Sequence, residues 1–114
     1  MDRVCVAFPV LDGKTEDARS LFRELETQRK SAYAASQQRV GVTKESWHLQ
    51  QTPRGDLLLA YIESADFAGG LSTFARSGDE FDQWFKRRMA EVTGADLNDA
   101  PGGPLSEQLS SYEA

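Results

Sequence analysis

Leu57-Leu58-Leu59-Ala60-Tyr61-Ile62 is apolar at every position, and its reading decides the fold. A half-exposed antiparallel strand alternates apolar and polar residues; this one does not, so both of its faces need cover. Upstream, Thr52-Pro53-Arg54-Gly55-Asp56 holds a proline that presets a turn and a glycine that tolerates a positive φ. The segment therefore joins strands at residues 43–51 and 57–63 as an antiparallel hairpin. One layer of helices covers a single face of a small sheet. The other face is expected to meet the sheet of a second subunit, and a charge at Leu58 or Ile62 is the expected way to break that pairing if the face is shared.

Working outward, Val4-Cys5-Val6-Ala7-Phe8-Pro9-Val10 reads as a first strand closed by Asp12-Gly13, with Cys5 as a small buried hydrophobe. From Thr15, a plausible N-cap, Ala18, Phe22 and Leu25 recur at helical spacing with Leu21 beside them, and no Gly or Pro intervenes before Gly41. This predicts one long first helix, bent near its middle. Residues 66–75 read as a short helix weakened by Gly69-Gly70. Ser77-Gly78-Asp79-Glu80 has the form of a capping box, and the helix after it carries Phe81, Phe85, Met89 and Val92 on a core stripe, with Trp84 alongside. Lys86-Arg87-Arg88 reads as its solvated face, and Gly94 ends it.

The pattern divides the chain into a domain at 1–94 and an acidic arm at 95–114. The arm contains a Pro101-Gly102-Gly103-Pro104 loop and an amphipathic turn at Leu105, Leu109 and Tyr112; it supplies a fourth strand, docks on the body or a partner, or is disordered. All 13 basic side chains lie in the domain, whereas Asp96, Asp99, Glu107 and Glu113 have no basic neighbour in the arm. A net charge of −5 argues against nucleic acid, whose binding rests on a basic face. No apolar run approaches the roughly 18 residues that cross a bilayer, so no membrane partner and a cytoplasmic location are expected. With one Cys and one His, neither a disulfide nor a metal site is expected, and no cofactor motif is present.

Strand, helix, hairpin, helix and tail make most of a ferredoxin-like split β-α-β unit, an α+β fold with an antiparallel sheet and helices on one face. Through Phe8-Pro9-Val10-Leu11-Asp12-Gly13-Lys14, the hairpin from Trp47 to Tyr61 and the capped helix with Phe81 and Trp84, residues 3–94 resemble the dimeric α/β-barrel superfamily. That superfamily includes the antibiotic-biosynthesis-monooxygenase-like proteins. The resemblance implies a sheet-to-sheet homodimer and a pocket between sheet and helices in each subunit. It departs where a fourth strand should follow the last helix. The helical histidine of haem-degrading relatives is also missing, since His48 falls in a strand, and the asparagine and tryptophan pair of some oxygenases has no counterpart. Neither activity carries over residue by residue.

The inward stripe of the first helix turns polar at Arg29, Tyr33 and Ser36. Either the helix end emerges into water or these side chains line a polar pocket. One side of the facing strand carries Glu45, Trp47, Leu49 and Gln51; Glu45 is a partner for Arg29, and Trp47 with Tyr61 would floor an aromatic cavity. Arg29, Tyr33, Glu45, Trp47 and Tyr61 are accordingly the candidate lining of a site for a small organic ligand. As the superfamily resemblance implies, an enzyme would use the same pocket as a cofactor-independent monooxygenase or isomerase of polyketide-like substrates. His48 or Glu45 would then move a proton and Arg29 would stabilise an oxyanion. The third alternative is a non-catalytic interaction module.

Overall fold

The computed structural model describes residues 1–99 and 104–114. Its elements run β1 (Asp2–Pro9), α1 (Thr15–Glu26), α2 (Lys30–Val40), β2 (Val42–Thr52), β3 (Gly55–Ser64), α3 (Phe67–Arg76) and α4 (Glu80–Thr93). The strands form one antiparallel sheet in the order β1-β3-β2, so the all-apolar strand is central. Register sets the two faces. Val4 lies opposite Ile62, Phe8 and Leu49 opposite Leu58, and Trp47 opposite Ala60. These side chains form the inner face, covered by the helices. Leu57, Leu59 and Tyr61 project the other way with Cys5, Ala7, Ser46 and His48, because successive residues of a strand alternate. No element of the described chain covers that outer face, and Cys5 is exposed there, not buried as expected. Leu58 and Ile62, buried beneath the helices at 2% and 8% exposure, belong to the subunit core rather than the outer face.

The core gathers Ala18, Leu21 and Leu25 of α1 with Phe81, Phe85, Met89 and Val92 of α4 over Leu58. Its second part sets Val4, Ala60 and Ile62 against Phe67 of α3. The expected long first helix is in fact two. Thr27 leaves helical geometry, and its hydroxyl donates to the Arg23 carbonyl at 2.7 Å, supplying a local alternative to the helical ladder. Arg29 thereby becomes the residue preceding α2 instead of a member of one continuous stripe. Two caps also shift. Lys14 precedes α1 while the Thr15 hydroxyl donates to Asp56. Asp79, not Ser77, caps α4 by accepting the Phe81 N–H at 3.1 Å.

Lys86 is not on a solvated face. It is 2% exposed, as Asp82 and Ser36 are at 1%. The Asp82 carboxylate accepts the hydroxyls of Ser36 from α2 and Ser77 from the α3–α4 connection, together with an Arg39 N–H at 3.3 Å. The Lys86 ammonium donates to the Ala75 and Ser77 carbonyls, at 3.0 and 3.2 Å, and so satisfies the open end of α3. Desolvation lowers the Lys86 pKa, opposed by the nearby Asp82 and Asp96 charges. One buried network thus ties three helices together.

Beyond Gly94, Leu97 packs on the core. Residues 104–114 carry no helix or strand, so neither the amphipathic turn nor a laddered fourth strand forms among them, and Leu109 and Tyr112 are each 86% exposed. The tail instead lies along the free edge of β1, where the Ser106 hydroxyl accepts the Cys5 N–H at 2.8 Å and Glu113 approaches Arg3 at 3.9 Å. The Pro101-Gly102-Gly103 part of the expected loop lies outside the described residues.

Removing the carboxylate at the centre of the network strands the Ser36 and Ser77 hydroxyls, whereas Arg39 keeps its bond to Asp79. Asp82→Ala is expected to cost roughly 2–4 kcal/mol in urea denaturation. A loss below about 0.5 kcal/mol, the range of neutral surface changes, would show that the network does not hold the helices.

Candidate functional site: a carboxylate on the wall of an apolar cavity

Between the inner sheet face and α2, α3 and α4 lies a cavity of about 610 Å³. Strand residues Val4, Val6, Ala60 and Ile62 form its floor, Phe67 and Phe74 of α3 and Phe81 and Phe85 of α4 its walls, and tail residues around Leu97 and Leu105 its mouth. Helix α3 can close one end because Gly70 meets α2 backbone to backbone; a Cβ there would stand 2.3 Å from the Val40 carbonyl oxygen. The small side chain of Ala60, on the inner face of the sheet opposite Trp47, leaves the space open.

One polar group commands this wall. Glu45 and Trp47 sit two residues apart on β2 and so share the inner face, and the Trp47 Nε1–H donates to Glu45 Oε2 at 3.2 Å. The Tyr33 hydroxyl of α2 donates to the same oxygen. Burial raises the Tyr33 pKa most, and the charge of Glu45 and its hydrogen bond raise it further. Both causes hold the phenol protonated and donating. One helical turn on, Gln37 also lines the cavity, and its buried Nε2 has no hydrogen-bond partner among the described residues. A buried amide without a partner is costly and is the kind of group a ligand satisfies.

Of the five residues expected to line a ligand site, Tyr33, Glu45 and Trp47 converge and two do not. Arg29 follows the break at Thr27 and leaves the stripe: its guanidinium donates to Glu80 at 3.0 and 3.2 Å and to Glu24 at 3.4 Å, 4.3 Å above the Trp84 ring. It therefore cannot partner Glu45. Tyr61 points to the outer face, where its hydroxyl donates to Glu63 at 2.7 Å, so it floors nothing with Trp47. His48 shares that outer face, exposed, with its Nε2 3.0 Å from the Ser46 hydroxyl. Of the three groups considered for proton transfer and oxyanion stabilisation, only Glu45 faces the cavity. Among the described residues, no three His, Cys, Asp or Glu side chains gather as metal ligands, and no helix is long and apolar enough to cross a membrane.

A family of unknown function, DUF6176, matches residues 1–101, and the chain belongs to that family. None of the curated proteins matches it. Among solved structures, an L-rhamnose mutarotase from Formosa agariphila is similar, with a TM-score of 0.64 over 99% of this chain and 100% of that one at 13% identity. At that identity the likeness shows the fold, an α+β ferredoxin-like arrangement, and nothing about the site.

A raised folded-state pKa on Tyr33 means that its contribution to stability is complete below the ordinary tyrosine value of about 10 and is lost as pH rises through and beyond it. The absorbance titration of wild type minus that of Tyr33→Phe should place this phenol's ionisation clearly above 10, and Glu45→Gln should bring it partway down, with burial keeping the remainder. Ionisation of Tyr33 at about 10 would contradict the geometry.

Proposed function

We propose that this chain binds a small, largely apolar organic molecule in the cavity between sheet and helices, anchored at Glu45 with Tyr33 and Trp47 in support. The observation that carries this reading is the shared Glu45 oxygen, held by two neutral donors at the wall of a 610 Å³ apolar space. Concave, aromatic-lined sites with a few convergent polar groups are the usual form of small-molecule sites. The unpartnered Gln37 Nε2 supports it too. The sugar named for the mutarotase is a poor guide to the ligand, because a monosaccharide presents hydroxyls around its ring and this wall is mainly hydrocarbon. The binding unit is a homodimer joined through the outer sheet face, where Leu57, Leu59, Tyr61 and Ala7 need cover that the described chain lacks.

Binding is measurable through the indole of Trp47 with naphthalene as an apolar probe. Naphthalene is expected to change the tryptophan emission of wild type. Ala60→Phe, which fills the cavity floor, should weaken binding at least about tenfold, the scale on which overfilling a packed site is felt. Undiminished binding to the filled variant would refute the location.

For the assembly, Leu59→Glu should halve the mass in sedimentation velocity with the circular dichroism retained. Leu58→Glu, on the buried face, should unfold the chain. A dimer that survives Leu59→Glu would place the interface elsewhere.

A further inference from the structure

The charges that face the cavity have one sign. Glu45 stands on its wall and Asp96 and Asp99 at its mouth, and no Lys, Arg or His lines it among the described residues. Asp96 is engaged, accepting the Asn98 backbone N–H at 2.9 Å and side-chain amide at 3.1 Å. Lys86 lies behind Phe74, its Nζ 5.2 Å from the ring centre, and is committed to Ala75, Ser77 and Asn98. Arg29 is committed to Glu24 and Glu80. Glu45 is left with two neutral donors on Oε2 and, among the described residues, none on Oε1.

A carboxylate bordering an apolar space with no counter-charge is unfavourable, and an incoming cation relieves it whereas an anion compounds it. The rest of the wall suits a cation as well. Tyr33, Trp47, Phe67, Phe74, Phe81 and Phe85 all line the cavity, and the negative faces of aromatic rings attract organic ammonium groups. Rings one contact apart run continuously along it, with Trp47 6.0 Å from Phe85, and Phe85 6.2 Å from Phe74 and 6.3 Å from Phe81.

We propose that the cavity selects an organic cation, a protonated or quaternary amine carried on an aromatic or aliphatic body, with its charge at Glu45 and its body among the rings. The inference rests on the cavity being the ligand site. It replaces an unspecified apolar molecule with one chemical class, and it assigns Glu45 the role of selecting charge.

Three probes of similar shape separate the possibilities in calorimetric titrations: naphthylmethylammonium, naphthylmethanol and naphthylacetate. The ammonium should bind at least about tenfold more tightly than the alcohol, and the carboxylate most weakly, since a desolvated ion pair and a cation–π contact each contribute on this scale. Glu45→Gln should reduce the ammonium's advantage to within about twofold, because the amide keeps the shape and removes the charge. The comparison of the three probes on wild type stands even if that variant misfolds. An alcohol or carboxylate that binds as tightly as the ammonium, in a manner still blocked by Ala60→Phe, overturns the cation proposal and leaves the cavity reading intact. Failure of all three to bind overturns both.

Discussion

Strand β3 is the middle of the sheet and carries apolar side chains on both faces, and the described chain provides only one layer of helices. That asymmetry organises the molecule. On the inner side Leu58, Ala60 and Ile62 are buried beneath the helices; on the outer side Leu57, Leu59 and Tyr61 are only half-buried. The inner side is also unevenly filled. At the Leu58 end, α1 and α4 close over the strand with Leu21, Met89 and Val92 fully buried. Toward Ala60 and Ile62, α2 and α3 leave a cavity. Where the helical layer is tight the strand gives stability, and where it stands off the strand gives a floor.

What keeps the cavity's walls in place is polar. Asp82 gathers Ser36 of α2 and the Ser77 hydroxyl, and Lys86 closes the end of α3, so the three helices that surround the cavity share one buried network with satisfied partners. Buried polar networks are specific when fully satisfied and costly when broken. By fixing α2 at Ser36, the network also holds Tyr33, about one turn earlier, and Gln37, the next residue, against the cavity that both line. Glu45 then meets Tyr33 across the gap between helix and sheet. The carboxylate is thus positioned by elements that are themselves held by ions and hydroxyls.

Much of this was legible in the residues, and the misreadings share causes. Unbroken hydrophobicity over 57–62 gave away a two-faced strand, and the alternation of β2 put Glu45 and Trp47 on one side. The polar turn of the helical stripe found Tyr33. Continuing that stripe through Thr27 misplaced Arg29, because a threonine hydroxyl competing for a backbone carbonyl leaves little trace in hydrophobic periodicity. Tyr61 was paired with Trp47 although its neighbour Ala60 is the residue opposite Trp47, a one-residue change that reverses the face. Lys86 reads as surface in any charge run, since its burial depends on carbonyls brought from another helix. Gln37 was reachable, lying four residues beyond Tyr33 on the same face, but an amide carries no signal until its lack of a partner is seen.

The central claim is that the inner cavity, and not the uncovered outer face, receives the ligand. Methyl-resolved heteronuclear NMR during titration with naphthylmethylammonium separates the two directly, because both faces of β3 carry methyl groups. The account predicts shifts at Val4, Val6, Ile62 and Leu71, which line the cavity, with Leu57 and Leu59 unmoved. Shifts confined to Leu57 and Leu59, or none at the cavity methyls at saturating probe, would contradict it.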